Sequence, residues 1–204
     1  MVQTVKKRKQ QAMETKQRIF DVTMALIREK GIENVQIEEI SRSAGVSMGL
    51  FYNYFASKAA LITEAANQES DLYYEKVKET SLEGMRGQKK LEVFVEAVME
   101  YHEMEMKKEE LKQIYAAFLT NPDRGESITN RNRPIYTILK EAVNEMIEEG
   151  QLPSEVSIEK TVKNLIMLIR GTIFEYLLSH EACSMKEETI RLLRFYLEGL
   201  RRME

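Results

Sequence analysis

One stretch constrains this chain more than any other: residues 36–58, QIEEISRSAGVSMGLFYNYFASK. Ile37, Ile40 and Ala44 recur at i, i+3 and i+7, which puts them on one face of a helix. Ala44 is small and lets a second helix cross closely over it. Gly45 follows at the position where a helix end favours a left-handed residue. Val46 returns an apolar side chain to the core, and Ser47 is a good N-cap for a second helix. In that helix Phe51 and Phe55, at i and i+4, face inward. Met48, Gly49, Tyr52, Asn53 and Tyr54 are left on outward or flanking positions, and Leu50 reads equally as core or surface. Ser57 caps a third helix, with Lys58 in its first turn. The order helix, tight turn, short helix predicts a helix-turn-helix, a motif whose second helix enters the DNA major groove. Gln36, Ser47, Met48, Gly49, Leu50, Tyr52, Asn53, Tyr54 and Lys58 are the candidate DNA-contacting residues.

Charge distribution points the same way although the total does not. The chain carries a net charge of −3. Its first 58 residues hold ten Lys and Arg against six acids, a balance of +4 that leaves −7 for the remainder. A basic end on an acidic body orients its approach to a phosphate backbone. The basic run Lys6-Lys7-Arg8-Lys9 precedes any hydrophobic periodicity, so residues 1–13 read as a flexible arm. Such an arm is either a solvated tail or a contact to phosphates or the minor groove.

Nine Gly and three Pro among 204 residues argue for long helices and few loops. The first helix is expected over 15–30, with Ile19, Val22 and Leu26 buried and Gly31 closing it. The fourth runs from about 57 to 78. Two more follow, with a weak boundary near 107, and 121–133 reads as a loop. Pro134 suits the first turn of the seventh helix. The eighth, over 157–180, is apolar almost all round, and the ninth, over 186–203, carries a strong stripe. One small chain does not satisfy all that surface. Pairing with a second copy would, and Ile173, Leu177, Leu193, Tyr196, Leu197 and Leu200 are the expected contacts; the alternative is a thick monomer core.

No catalytic set stands out. His102 and His180 are distant in sequence, and neither has a second His or Cys at metal-ligand spacing. There is no phosphate-cradling glycine loop and no nucleophile elbow. No metal, cofactor or enzymatic activity is expected. The single cysteine, Cys183, excludes an intrachain disulfide, and with no secretory signal at the basic N-terminus the expected location is the cytoplasm.

The segment AGVSMGLFYNYFASKAAL closely resembles the DNA-binding signature of the tetracycline-repressor (TetR) family, with its valine, small N-cap, tyrosine, aromatic pair and serine-lysine. The resemblance is dense over residues 19–61. Beyond them it covers only the all-helical plan and the length. It implies an all-α fold of about nine helices: a three-helix helix-turn-helix head, residues 1–58, and a helical ligand-binding and dimerisation body, residues 59–204. It also implies a homodimer on a palindromic operator and a small-molecule inducer site among the body helices. Tyr73, Met99, Tyr101, Met104, Tyr115, Phe118, Tyr136, Met167, Arg170 and Phe174 are the candidate lining. Arg170 selects an anionic ligand if it faces that site and says nothing of ligand if it faces solvent or a carboxylate. The expected function is a repressor released from DNA by a ligand. The alternative is an all-helical carrier or interaction module that does not bind DNA.

Overall fold

A computed structural model describes residues 2–120, 129–179 and 184–202. Nine α-helices follow one another among them: α1 Val2–Lys30, α2 Ile37–Ser43, α3 Met48–Tyr54, α4 Lys58–Thr80, α5 Gly87–Glu100, α6 Lys108–Thr120, α7 Pro134–Glu148, α8 Ile158–Leu178 and α9 Met185–Arg201. Ile32–Asn34 forms a short 3-10 turn, and a π turn, Tyr101–Glu105, extends α5. His180, Cys183 and most of the 121–133 stretch lie outside the described residues.

α1 begins thirteen residues before the expected start. The predicted arm is helical because Lys, Arg, Gln, Ala, Met and Glu all favour helix, with no Gly or Pro to interrupt. Gln10 donates to Glu14 at 3.0 Å and the Thr15 hydroxyl to the Gln11 carbonyl at 2.8 Å, one turn apart. This extension has no apolar stripe, so hydrophobic periodicity could not reveal it.

Two compact units divide the chain. The first comprises Met1–Gln68 and Gln113–Ile128. Its core joins Ile19 of α1, Val35, Ile40 and Ala44 of the α2 region, Phe51, Phe55 and Leu61 of α4. The second comprises Glu69–Lys112 and Thr129–Glu204. There α5 packs on α7 and α9, and α8 packs on the same two helices. Phe94, Val98, Leu139, Val143, Leu165 and Leu193 interlock at their contacts, all at or near zero exposure.

The start of α5 shows how charge is used in this second unit. Gly87 has φ +53, and an added Cβ would stand 2.6 Å from the Gln151 side chain and 2.7 Å from that of Glu149. Only glycine meets both demands. The Gly87 N–H donates to Glu145 at 3.0 Å, and Lys90 donates to the same carboxylate at 2.5 Å. Burial alone pushes the Glu145 carboxyl up, but the Lys90 and Gly87 bonds outweigh it and hold the group below its ordinary 4.5. A carboxylate depressed in the folded state stabilises fully above the unfolded value and loses that contribution as pH falls through the folded value. Glu145→Gln should therefore lower the thermal midpoint at neutral pH, and the gap from wild type should close under acid. A constant gap across the titration would remove the carboxylate from this role.

Candidate nucleic-acid interface

The turn between α2 and α3 is built from backbone. The Val46 N–H donates to the Ser41 carbonyl at 2.9 Å and the Gly45 N–H to the Arg42 carbonyl at 3.2 Å. This paired closure needs a left-handed residue, and Gly45 has φ +63. From α1, Arg18 Nε donates to the Ala44 carbonyl at 2.8 Å, which fixes the turn from a second helix. Sequence patterning did not single out Arg18. The available signal was a cation beside Ile19 on the buried edge of α1, where it can meet a helix C-terminus. The Ser47 hydroxyl accepts from the Leu50 N–H at 3.1 Å and starts α3.

One side of α3 is anchored and the other is free of packing. Phe51 is fully buried, with its ring 5.7 Å from Phe55 and edge-on to Tyr52 at 5.5 Å. Tyr54 and Val46 pack partly against the same core. Met48 is half-buried, its sulfur accepting from the Ser41 hydroxyl at 3.4 Å. Gln36, Ser47, Gly49, Leu50, Tyr52 and Asn53 are exposed. Leu50 at 37% and Tyr52 at 49% are large side chains left in solvent, so Leu50 belongs to the surface. Lys58 is half-buried in the first turn of α4. Seven of the nine candidate DNA-contacting residues thus lie on α3 or at its N-cap, while Gln36 caps α2 and Lys58 opens α4. The outer surface offers an amide, a phenol, an apolar side chain and a glycine that permits close backbone approach, a set suited to base edges and thymine methyl groups.

The candidate ligand residues have varied surroundings. Tyr73 stacks on Tyr101 at 4.5 Å and donates to the Ala97 carbonyl at 3.3 Å. Tyr74 and Phe94 complete this aromatic group, edge-on at 5.7 Å. Burial pushes the Tyr74 and Tyr101 hydroxyls well above their ordinary value. Beside them Arg133 grips Asp71 through Nε at 3.0 and 3.1 Å and donates to Ser70 at 3.0 Å, so the second half of α4 is tied to the start of α7. His102 bonds the Val98 carbonyl through Nδ1 at 2.7 Å, and burial lowers its pKa. Arg170 donates to the Tyr136 hydroxyl at 3.3 Å and is half-buried. Met99 is core at zero exposure. Tyr115 and Phe118 lie in the first unit, edge-on to one another at 6.2 Å. Met104, Met167 and Phe174 stand at the surface, 80%, 61% and 48% exposed.

The expected dimer contacts need correction. Ile173, Leu177, Leu193, Leu197 and Leu200 are between 0 and 8% exposed within the single chain, so they have almost no surface to give a partner. Tyr196 is half-buried and accepts from Asn164 at 3.0 Å. The apolar surface left open is a different stripe. Met167, Gly171, Phe174 and Leu178 follow at i, i+4, i+7 and i+11 on α8, and Leu192, Phe195 and Gly199 repeat the spacing on α9. Between the two helices lies an apolar concavity of about 260 Å³ lined by Met167, Leu168, Gly171, Tyr176, Met185 and Leu192, among others. Among the described residues no three His, Cys, Asp or Glu converge to hold a metal ion, and no helix is long and apolar enough to cross a membrane.

Comparison with known proteins places this geometry. The family model of bacterial regulatory proteins, tetR family, matches residues 19–65. The chain is similar to the HTH-type transcriptional regulator AcrR of Shigella flexneri, 39% identical over 59 residues, which are 29% of this chain and 27% of that protein. It is also similar to the HTH-type transcriptional repressor KstR of Mycolicibacterium smegmatis, 34% identical over 71 residues, 35% of either chain. The matches therefore span about a third of these curated relatives. Thermus thermophilus FadR, a TetR-family transcriptional repressor solved in complex with lauroyl-CoA, superposes with a TM-score of 0.71 at 25% identity, over 93% of this chain and 96% of that one. The local match falls on the helix-turn-helix, and the structural likeness extends over nearly the whole fold.

Proposed function

We propose that this chain is a transcriptional repressor that binds a palindromic operator as a homodimer and is released by a small molecule. The α3 surface carries the reading: Phe51 locks one side of the helix while Gly49, Leu50, Tyr52 and Asn53 stand exposed on the other. Residues 1–58 supply DNA recognition in this scheme, and residues 59–204 supply ligand binding and dimerisation. The open stripe of α8 and α9 is the proposed isologous contact, because Gly171 and Gly199 allow helices to approach and Phe174 and Phe195 give a partner apolar surface to cover. α4 contributes residues to both units, so a ligand that displaces its second half acts on its first.

The likeness to the lauroyl-CoA complex supports a long-chain acyl thioester as the effector class. Such a ligand must bind the non-operator conformation more tightly, and DNA must weaken its binding by the same factor. The test begins with selection from a random DNA pool. An inverted-repeat motif should emerge, and saturating lauroyl-CoA should weaken binding to it about 5–150-fold. Failure to enrich any motif would sink the regulator reading. A motif whose affinity lauroyl-CoA leaves unmoved would sink the acyl-thioester effector alone.

A further inference from the structure

The helical extension of α1 is a place where the sequence breaks a local rule. Lys6, Lys7, Arg8 and Lys9 lie near the start of α1, the first turn of which contains no acid. Lys6 and Lys9, at i and i+3, repel one another. All four side chains are exposed, and so are Gln10 and Gln11 after them. No core packing requires this segment: the first fully buried residue of α1 is Ile19, about 15 Å along the axis from Lys9. A free protein gains nothing from charge placed this way, and such departures concentrate at functional sites.

We propose that this extension is a second DNA-contacting element, in which Lys6, Lys7, Arg8 and Lys9 bind backbone phosphates beyond the base pairs read by α3. The proposal rests on the DNA-binding reading above. Polyanionic DNA is the occupant that charge favours, since it neutralises the clustered cations and their mutual repulsion. Successive residues turn by 100° around a helix, so four in a row cannot all face one duplex. Lys6, Lys7 and Lys9 fall within one half of the circumference, and Arg8 lies opposite. Two or three cations per subunit reach phosphate at a time. The contact adds affinity without sequence information, because phosphates carry none.

The experiment compares wild type with the full-length variant Lys6→Gln, Lys7→Gln, Arg8→Gln, Lys9→Gln, which keeps helix propensity and removes charge. Binding is measured through a salt series on a random-sequence duplex and on the duplex recovered by selection. The slope of log affinity against log salt should fall by about two to three units per subunit, and preference for the selected duplex should persist. The thermal midpoint should stay or rise, because an unfavourable cluster is gone. The charge-keeping variant Lys6→Arg, Lys7→Arg, Lys9→Arg should retain the wild-type slope. An unchanged slope in the glutamine variant overturns the second contact and leaves the α3 reading intact. A fallen midpoint assigns the cations to the fold and also overturns it. Absence of DNA binding by the wild type overturns the α3 reading itself.

Discussion

Leu197→Arg is expected to unfold the second unit, whereas Phe174→Arg is expected to give a folded monomer. Leu197 has zero exposure on α9, so an arginine there is buried without a partner and costs about 3–5 kcal/mol, a large share of a domain's stability. Phe174 stands 48% exposed on α8, where an arginine reaches water without disturbing the chain's own core. In a dimer that arginine meets its symmetry mate across an isologous contact, and the like charges separate the subunits. Circular dichroism and sedimentation read both outcomes. A folded, monomeric Leu197→Arg protein would return Leu197 to the interface. A dimeric Phe174→Arg protein would move the contact elsewhere.

Neighbouring aromatics on α3 should diverge just as sharply. Phe51→Ala removes a fully buried ring from a core of seven buried residues and should cost about 3–5 kcal/mol, enough to melt the helix-turn-helix. Tyr52→Ala alters a side chain that is 49% exposed, so stability should change by no more than about 0.5 kcal/mol. Its loss should appear in affinity for the selected duplex. Thermal unfolding and DNA titration of the two variants separate packing from contact. Operator affinity unchanged in Tyr52→Ala would take this phenol out of the interface.

The helix-turn-helix was legible because its information is local. Phe51 and Phe55 sit one turn apart, Gly45 marks the turn and Ser47 marks the next start, so periodicity and capping agree within twenty residues. Patterning was weaker in α8, where apolar residues surround the axis. It could not say that Ile173 and Leu177 are buried within the single chain while Phe174 and Leu178 remain open. That choice depends on where α7 and α9 lie, which no short window encodes. The same limit hid the stack of Tyr73 on Tyr101, residues 28 apart in sequence, and the grip of Arg133 on Asp71. In α1 the failure was different: the helix continues on propensity alone, and a method that looks for buried stripes has nothing to see there.

Leu61 has a practical bearing on domain exchange. It lies one turn into α4 at zero exposure, among the residues that enclose Phe51 and Phe55, and the first compact unit continues to Gln68. A chimaera joined at residue 58 would take the recognition helix without the side chain that closes its core. The transplanted segment would bring its specificity and lose its rigidity. A junction after Gln68 carries Leu61 and Ala65 along, and leaves Ser70 and Asp71 with the Arg133 that holds them.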